Sequence, residues 1–326
     1  MLWLRTALLW LLLGGTALAA PLRVALLLED DSPSAWTEML RQGLAKASGS
    51  HNISHDVIIA PPGPGQTELF RQAAATHDLV IVAEDSLHEV LRDNAASFRR
   101  VKFGVIDAGI RAPNIMSVTF ADEQAAFLAG AAAAAWAKTR GAPVVGWLSG
   151  GDTPAMRSLF NGYNEGAILE APGTRVIQAV VGSFNDPAQA ASKALWLADN
   201  GAQVIALAAG AGNKAASEAL KARNIPLIEL DGPRSGNDMG VITRAADKAI
   251  GALIAAAAAD NFQGKKILTY DLANGGVSFD GLAEFTRKAT AGSDLLRRQS
   301  ELGQEIRKGA IRLHSLRQRT LCDCLD

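Results

Sequence analysis

The chain has 326 residues, 48% of them hydrophobic and 20% charged, with 32 Lys and Arg against 33 Asp and Glu and a formal net charge of -1. That length accommodates two domains with ordinary cores. The balanced charge excludes the basic excess of a binder of nucleic acid or anionic membrane, and an aromatic content of 6% leaves few large rings for special sites.

The N-terminus reads MLWLRTALLWLLLGGTALAAPLRV, with Arg5, an apolar run from Ala7 to Leu13 and then the small residues TALA. This is the pattern of a secretory signal with Ala17 and Ala19 at the positions a signal peptidase reads, so residues 1–19 are expected to be removed and the mature chain to start at Ala20. The competing reading, an uncleaved anchor, asks for about 20 consecutive apolar residues, and this run is shorter. No Cys follows it, so a freely soluble periplasmic protein is expected rather than a lipid-anchored one. No later segment reads as a membrane span: AADKAIGALIAAAAADNF carries Asp247 and Lys248.

Short apolar runs then alternate with helical spacing. In chain order the predicted strands are RVALLLE, DVIIA, DLVIVA, VKFGVID, IMSVTF, PVVGWLS, RVIQAVVG, QVIALAA, IPLIEL, GVITR and KILTYD. Between most of them lie helical patterns such as AWTEMLRQGLAKA, PAMRSLFNGYNEGAIL and PAQAASKALWLADNG. Continuous apolar strands alternating with helices predict parallel sheets covered on both faces, and so many strands call for two α/β lobes. The stretch APPGPGQTE sits inside the first half, where a strand hands over to a helix. The lobes are therefore joined by short embedded segments rather than a floppy linker, as in hinged binding proteins.

Several motifs bear on chemistry. In EDDSPSAWTEML, Ser34 is placed to cap a helix and Trp36 to project from its first turn. In FADEQAAFLAG, Asp122 and Glu123 stand at a strand end and a helix start; Asp122 is the candidate for the crevice and Glu123 is expected to be solvated. In VVGSFNDPAQAA, Phe184 suits stacking on a planar ligand, Asn185 and Asp186 supply directional hydrogen bonds, and Asp186 before Pro187 also reads as an ordinary N-cap. The segment from 204 to 231 places Gly210, Gly212 and Ala215 in a G-x-G-x-x-A pattern that reaches Asp231 at the next strand end. Those are the parts of a dinucleotide fingerprint and raise an NAD-binding oxidoreductase as an alternative. Otherwise no G-x-S-x-G or H-E-x-x-H motif occurs, and four of the five histidines lie in the first stretch among polar residues. The two cysteines, Cys322 and Cys324, close the chain in LCDCLD; an incidental pair of thiols is expected, with a disulfide left open and no zinc site.

In the order FADEQAAFLAG, GSFNDP, GAQVIALAAGAGNKA, NGGV at 274–277 and EIRKGAIRL, the residues resemble the basic membrane protein (BMP) family of ABC-transporter solute-binding proteins, the purine nucleoside receptor group. The resemblance covers nearly the whole mature chain. It implies a type I periplasmic-binding-protein fold, with two Rossmann-like lobes joined by three crossovers, and a nucleoside-like ligand whose base lies between aromatic rings and whose ribose hydroxyls meet carboxylates. By position it implies ligand contacts from Trp36, Asp122, Phe184 and Asp231. Three segments depart from the family pattern: DDSPSAW replaces DDKSFN, DGPRSG replaces the Gln-bearing turn, and GVITR puts Arg244 where the family carries Lys. The planar fork of Arg suits carboxylates or stacking.

Together these readings predict a non-enzymatic, monomeric solute-binding protein of an ABC importer, with residues 20–121 and 243–272 in lobe one and 122–242 and 273–326 in lobe two. Its partners would be a small-molecule ligand and an inner-membrane ABC permease, with no nucleic acid, metal or cofactor. The expected ligand-binding residues are Trp36, Asp122, Phe184, Asn185, Gly210, Gly212, Asp231 and Arg244. A receptor presenting its closed form to a membrane sensor is the second alternative.

Overall fold

The computed structural model describes residues 20–141, 143–233, 238–288 and 294–313. The expected signal segment 1–19, His314 and the pair Cys322 and Cys324 lie outside the described residues. From the start, the elements are β1 (Leu22–Leu28), α1 (Ala35–Ser50), β2 (Ile53–Ile59), α2 (Gln66–Thr76), β3 (Leu79–Val82), α3 (Asp85–Asn94), β4 (Lys102–Ile106) and β5 (Ile115–Phe120). Then come α4 (Asp122–Lys138), β6 (Val144–Ser149), α5 (Pro154–Glu170), β7 (Arg175–Val180), α6 (Pro187–Asp199), β8 (Ile205–Ala208), α7 (Asn213–Leu220) and β9 (Leu227–Leu230). The described chain ends with β10 (Asp238–Arg244), α8 (Ala246–Ala258), β11 (Ile267–Tyr270), β12 (Val277–Asp280), α9 (Leu282–Lys288) and α10 (Asp294–Arg307).

Two six-stranded sheets result, ordered β11-β5-β4-β3-β1-β2 and β12-β10-β9-β8-β6-β7. The interior strand β1, next to the edge strand β2, is fully buried from Val24 to Leu28, as a strand covered by helices on both faces must be. Every pairing in the first sheet is parallel, whereas β12 pairs antiparallel with β10 in the second. The chain passes from one sheet to the other three times: after Phe120, after Arg244 and between Tyr270 and Val277. Thr243 and Arg244 thus complete a strand of the second sheet, although the sequence reading began the first lobe's second segment at 243. The type I periplasmic-binding-protein fold is therefore present, built from two parallel-dominated α/β lobes.

The alanine-rich α4 is buried along most of its length. A Cβ on Gly130 would lie 1.9 Å from the Tyr163 carbonyl oxygen, and one on Gly166 would lie 2.0 Å from that of Phe127. Only missing side chains let α4 and α5 approach backbone to backbone, and the alanines of α4 extend that small face. Helix entries follow local rules: Ser34 accepts from the Thr37 amide at 3.1 Å, and Asp186 from the Gln189 amide at 3.0 Å, with Pro187 in the first turn.

Candidate functional site

Parallel strands of both sheets end at one cleft of about 620 Å³, where open α/β sheets bind ligands. Trp36, Glu29, Glu84 and Asp107 line the first-lobe wall; Thr153, Met156, Phe184, Glu229 and Asp231 line the second.

Arg244, the last residue of β10, ties the walls together. It donates from its amide to Asp231 Oδ1 at 2.9 Å, and from Nε and Nη2 to Asp231 Oδ2 at 2.9 and 2.5 Å. Its third guanidinium nitrogen, Nη1, reaches Asp107 Oδ2, in the first lobe, at 3.1 Å. The guanidinium also lies 4.1 Å from the centre of the Trp36 ring, a cation–π stack. Trp36 is steadied further by an edge contact with Phe120, 6.1 Å between ring centres. Asp231 and Asp107 hold left-handed backbone, φ 57° and 72°, where non-glycine residues are uncommon. Arg244 thus supplies both the hydrogen-bond fork toward carboxylates and the stacking that guanidinium geometry favours.

On the opposite wall Phe184 is 38% exposed although it is a large ring. It sits on glycines: a Cβ on Gly150 would come within 2.2 Å of the ring, and one on Gly210 within 2.8 Å of the Phe184 carbonyl oxygen. Gly210 has φ +61°, which suits the tight turn that follows β8. The Ala211 amide in that turn donates to the Phe184 carbonyl at 2.9 Å. The turn of the apparent dinucleotide fingerprint therefore holds a protein carbonyl, and the acid that would take a ribose, Asp231, is held by Arg244. Gly212 packs against Ala190 instead of opening toward a ligand.

Buried acids surround this core. Burial raises the Glu84 carboxyl to about 8, with Glu29, Asp30 and Asp85 adding like charge. Burial also raises Glu229 to about 8, helped by Asp238 and opposed by the hydrogen bond from Asn213 Nδ2 at 3.1 Å. Asp122 is fully buried at the start of α4; burial pushes its carboxyl well above the ordinary range, Glu123 adds to this, and the charge of Arg244 opposes it. Glu123 is also buried rather than solvated, and its carboxylate accepts from Ser158 Oγ at 3.2 Å. The expectation of a solvated Glu123 is corrected by close packing: a Cβ on Gly162 of α5 would lie 2.2 Å from the Glu123 carbonyl oxygen, leaving no room for water.

Of the residues singled out in the sequence, Trp36, Phe184, Gly210, Asp231 and Arg244 line one cleft. Asp122, Asn185 and Gly212 do not: Asp122 and Gly212 are buried, and Asn185 is exposed on the Ser183 turn, its amide donating to Ser183 Oγ at 3.0 Å. Glu29, Glu84, Asp107 and Glu229 also line the cleft, though the sequence motifs assign them no role. Their signal was present, since Glu29 and Asp107 close the apolar strands RVALLLE and VKFGVID and Glu84 follows DLVIVA. Among the described residues no group of three or more His, Cys, Asp or Glu is placed to hold a metal, and no helix is long and apolar enough to cross a membrane.

The profile of the family described as Bmp, ABC transporter substrate-binding protein PnrA-like, matches residues 24–312. The ABC transporter nucleoside-binding protein BmpA of Lactococcus lactis subsp. cremoris (strain MG1363) is 29% identical over 215 residues, 59% of this chain and 60% of that relative. This chain thus aligns with less than two thirds of that relative's length. The solute-binding protein of an ABC transporter system from Aeropyrum pernix K1 superposes with a TM-score of 0.79 at 20% identity, covering 90% of this chain and 94% of that one. A counterpart from Conexibacter woesei DSM 14684 gives a TM-score of 0.68 at 19% identity, over 90% and 99% of the two chains. A transcriptional activator of the comK gene from Bacillus halodurans gives 0.71 at 14% identity, over 90% and 100%. At these identities the structural likeness shows the fold alone.

Proposed function

This chain belongs to the Bmp family of PnrA-like ABC transporter substrate-binding proteins, and from that premise we propose that it captures a nucleoside-like solute between its lobes and delivers it to an inner-membrane ABC permease. The observation that carries the ligand class is the pairing of two aromatic rings, Trp36 and Phe184, on opposite walls of one cleft beside the Asp231–Arg244–Asp107 network. A planar base fits between such walls, and a polar sugar fits the charged network; the nucleoside-binding name of the Lactococcus relative supports the same class.

The lobes expected at 20–121 with 243–272 and at 122–242 with 273–326, with Thr243 and Arg244 moved to the second, close about their three crossings. The ligand stabilises the closed state only through its greater affinity for it. In this reading the protein is exported through a cleaved signal and acts in the periplasm as a monomer. Phe184 and Trp36 supply stacking surface, Gly210 lets Phe184 sit close to the turn, and Arg244 orients both Asp231 and the indole. Asp122, buried at the start of α4 with its carboxyl pushed toward the neutral form, supports the wall from behind rather than touching the ligand.

Native mass spectrometry of the freshly purified protein, followed by a thermal-shift panel of nucleosides, sugars and NAD, tests the reading. A nucleoside at about 100 times its Kd should add about 2.7 kcal/mol of stability. A shift with NAD or a sugar and none with any nucleoside would sink it.

A further inference from the structure

Neighbouring parallel strands β1 and β3 bring Glu29 and Asp30 beside Glu84 and Asp85 on the first-lobe wall of the cleft. Glu29 Oε1 accepts from the Ser86 amide at 3.0 Å and Ser86 Oγ at 2.5 Å, and Asp30 Oδ1 from the Ser32 amide at 2.8 Å. Glu84 Oε2 accepts from the Glu29 amide. Among the described residues no Lys or Arg pairs with Glu29, Asp30 or Glu84. Across the cleft stand Lys214 and Glu218 of α7, Glu229 of β9, and Arg244, whose charge is already met by Asp231 and Asp107. Behind Asp85 lies His88, its Nδ1 3.6 Å from the Asp85 carboxylate. The wall is therefore rich in acceptors and short of cations, and Glu84 Oε1 is the carboxyl oxygen that the Glu29 amide leaves to the cleft.

Resting on the solute-binding reading above, we propose that Glu84 is a specificity-determining residue that takes an N–H donor of the ligand directly on its carboxyl. The ligand class is then a neutral or cationic heterocycle with a ring N–H, amino or ammonium group facing this wall. A donor placed against Glu84 favours its charged form over the neutral form that burial maintains near neutrality. Binding therefore releases a proton, and affinity rises as pH climbs toward the Glu84 midpoint of about 8.

Guanosine, which carries adjacent ring N–H and amino donors, and inosine, which lacks the amino group, are the probes. Calorimetric titration in two buffers of different ionisation enthalpy counts the released protons in the wild-type protein, a reading that needs no variant to fold. Guanosine should bind with net proton release. Glu84→Gln, close in shape and checked by its melting curve, should weaken guanosine about 10-fold or more and inosine less, because a hydrogen bond to a charged group is lost. Proton release should vanish with it.

If guanosine binds but Glu84→Gln keeps both its affinity and its proton release, the proton belongs to Glu229 or another group and this inference alone is overturned. If no nucleoside binds the wild-type protein, this inference and the proposed function fall together.

Discussion

Asp231 on the second-lobe wall and Glu84 on the first are both acids at the carboxyl end of a parallel strand, yet their surroundings differ. Asp231 accepts from the Arg244 guanidinium on Oδ2 and from the Arg244 amide on Oδ1, and its backbone is held in a left-handed turn. Glu84 meets a backbone amide and three nearby acids. An acid with a built-in cation is a fixed structural element that orients its neighbours. An acid held by burial among like charges is poised to respond to what enters. Asp231 thus shapes the cleft, whereas Glu84 is placed to answer to a ligand.

The largest effect is expected at Arg244. Arg244→Met strips the cation from Asp231 and Asp107, whose side chains are nearly buried. Removing one partner of a buried ion pair costs about 3–5 kcal/mol, read as a lower midpoint in urea unfolding. Nucleoside affinity should fall as well, because the Trp36 ring loses its stacked partner. A loss below about 1 kcal/mol, typical of a surface ion pair, would show that the network is solvated and that the contrast with Glu84 is false.

Phe184 should behave oppositely. Its ring is 38% exposed and rests on glycines rather than in a core, so Phe184→Ala should move the unfolding midpoint little. Aromatic anchors of an interface cost about 2 kcal/mol or more when truncated, and titration of a nucleoside should show that loss. Trp36→Ala should lower both quantities, because Trp36 packs on Phe120 and on Arg244 as well as facing the cleft.

Acid-wall titration comes next. Glu84 and Glu229 each have a carboxyl raised to about 8 by burial, from an ordinary value of 4.5. Between those limits the folded protein binds more protons than the unfolded chain, so stability falls as pH rises. Their neutral forms are fully accommodated below the unfolded value, and that advantage is lost as pH passes through about 8. The melting temperature should therefore fall from mildly acid to mildly alkaline solution, and Glu84→Gln with Glu229→Gln should flatten the slope. If the double variant keeps the wild-type slope, neither acid is held neutral by the fold.

Much of the frame was legible because parallel strands buried on both faces must be nearly all apolar, and VALLL and LVIV are. β12 was not: VSFD is four residues long, half-buried, and antiparallel at a sheet edge, so it lacks the uninterrupted apolar run that marks its neighbours. Within the site, the rings Trp36 and Phe184 were legible from their loops. The orientation of acids was not, because a carboxylate at a strand end reads alike whether it faces a cleft or a helix. Asp122 and Glu123 both turn inward because glycines on α5 bring that helix against α4, a tertiary contact with no local signature. Glu229 sits inside the apolar pattern of IPLIEL, and its acceptance there depends on Asn213, sixteen residues earlier in the chain.

The smallest effects should come from the two helix caps at the cleft rim, and they compare the walls once more. Ser34 starts α1 on the first wall, its Oγ accepting from the Thr37 amide at 3.1 Å and donating to Thr37 Oγ1 at 2.9 Å. Thr153 starts α5 on the second, its Oγ1 accepting from the Met156 amide at 3.3 Å, with Pro154 following. Replacing a Ser or Thr cap by Ala costs about 0.5–2 kcal/mol. Ser34→Ala loses a shorter bond and a hydroxyl partner, whereas Thr153→Ala retains a proline that already holds helical φ. Ser34→Ala should therefore be the costlier change in urea unfolding. It should also weaken nucleoside binding slightly, because the frayed first turn carries Trp36, whereas Thr153→Ala leaves Phe184 on its glycine seat. Equal losses of affinity for the two variants would mean that the first turn of α1 does not set the position of the Trp36 ring, and that Arg244 and Phe120 alone hold it.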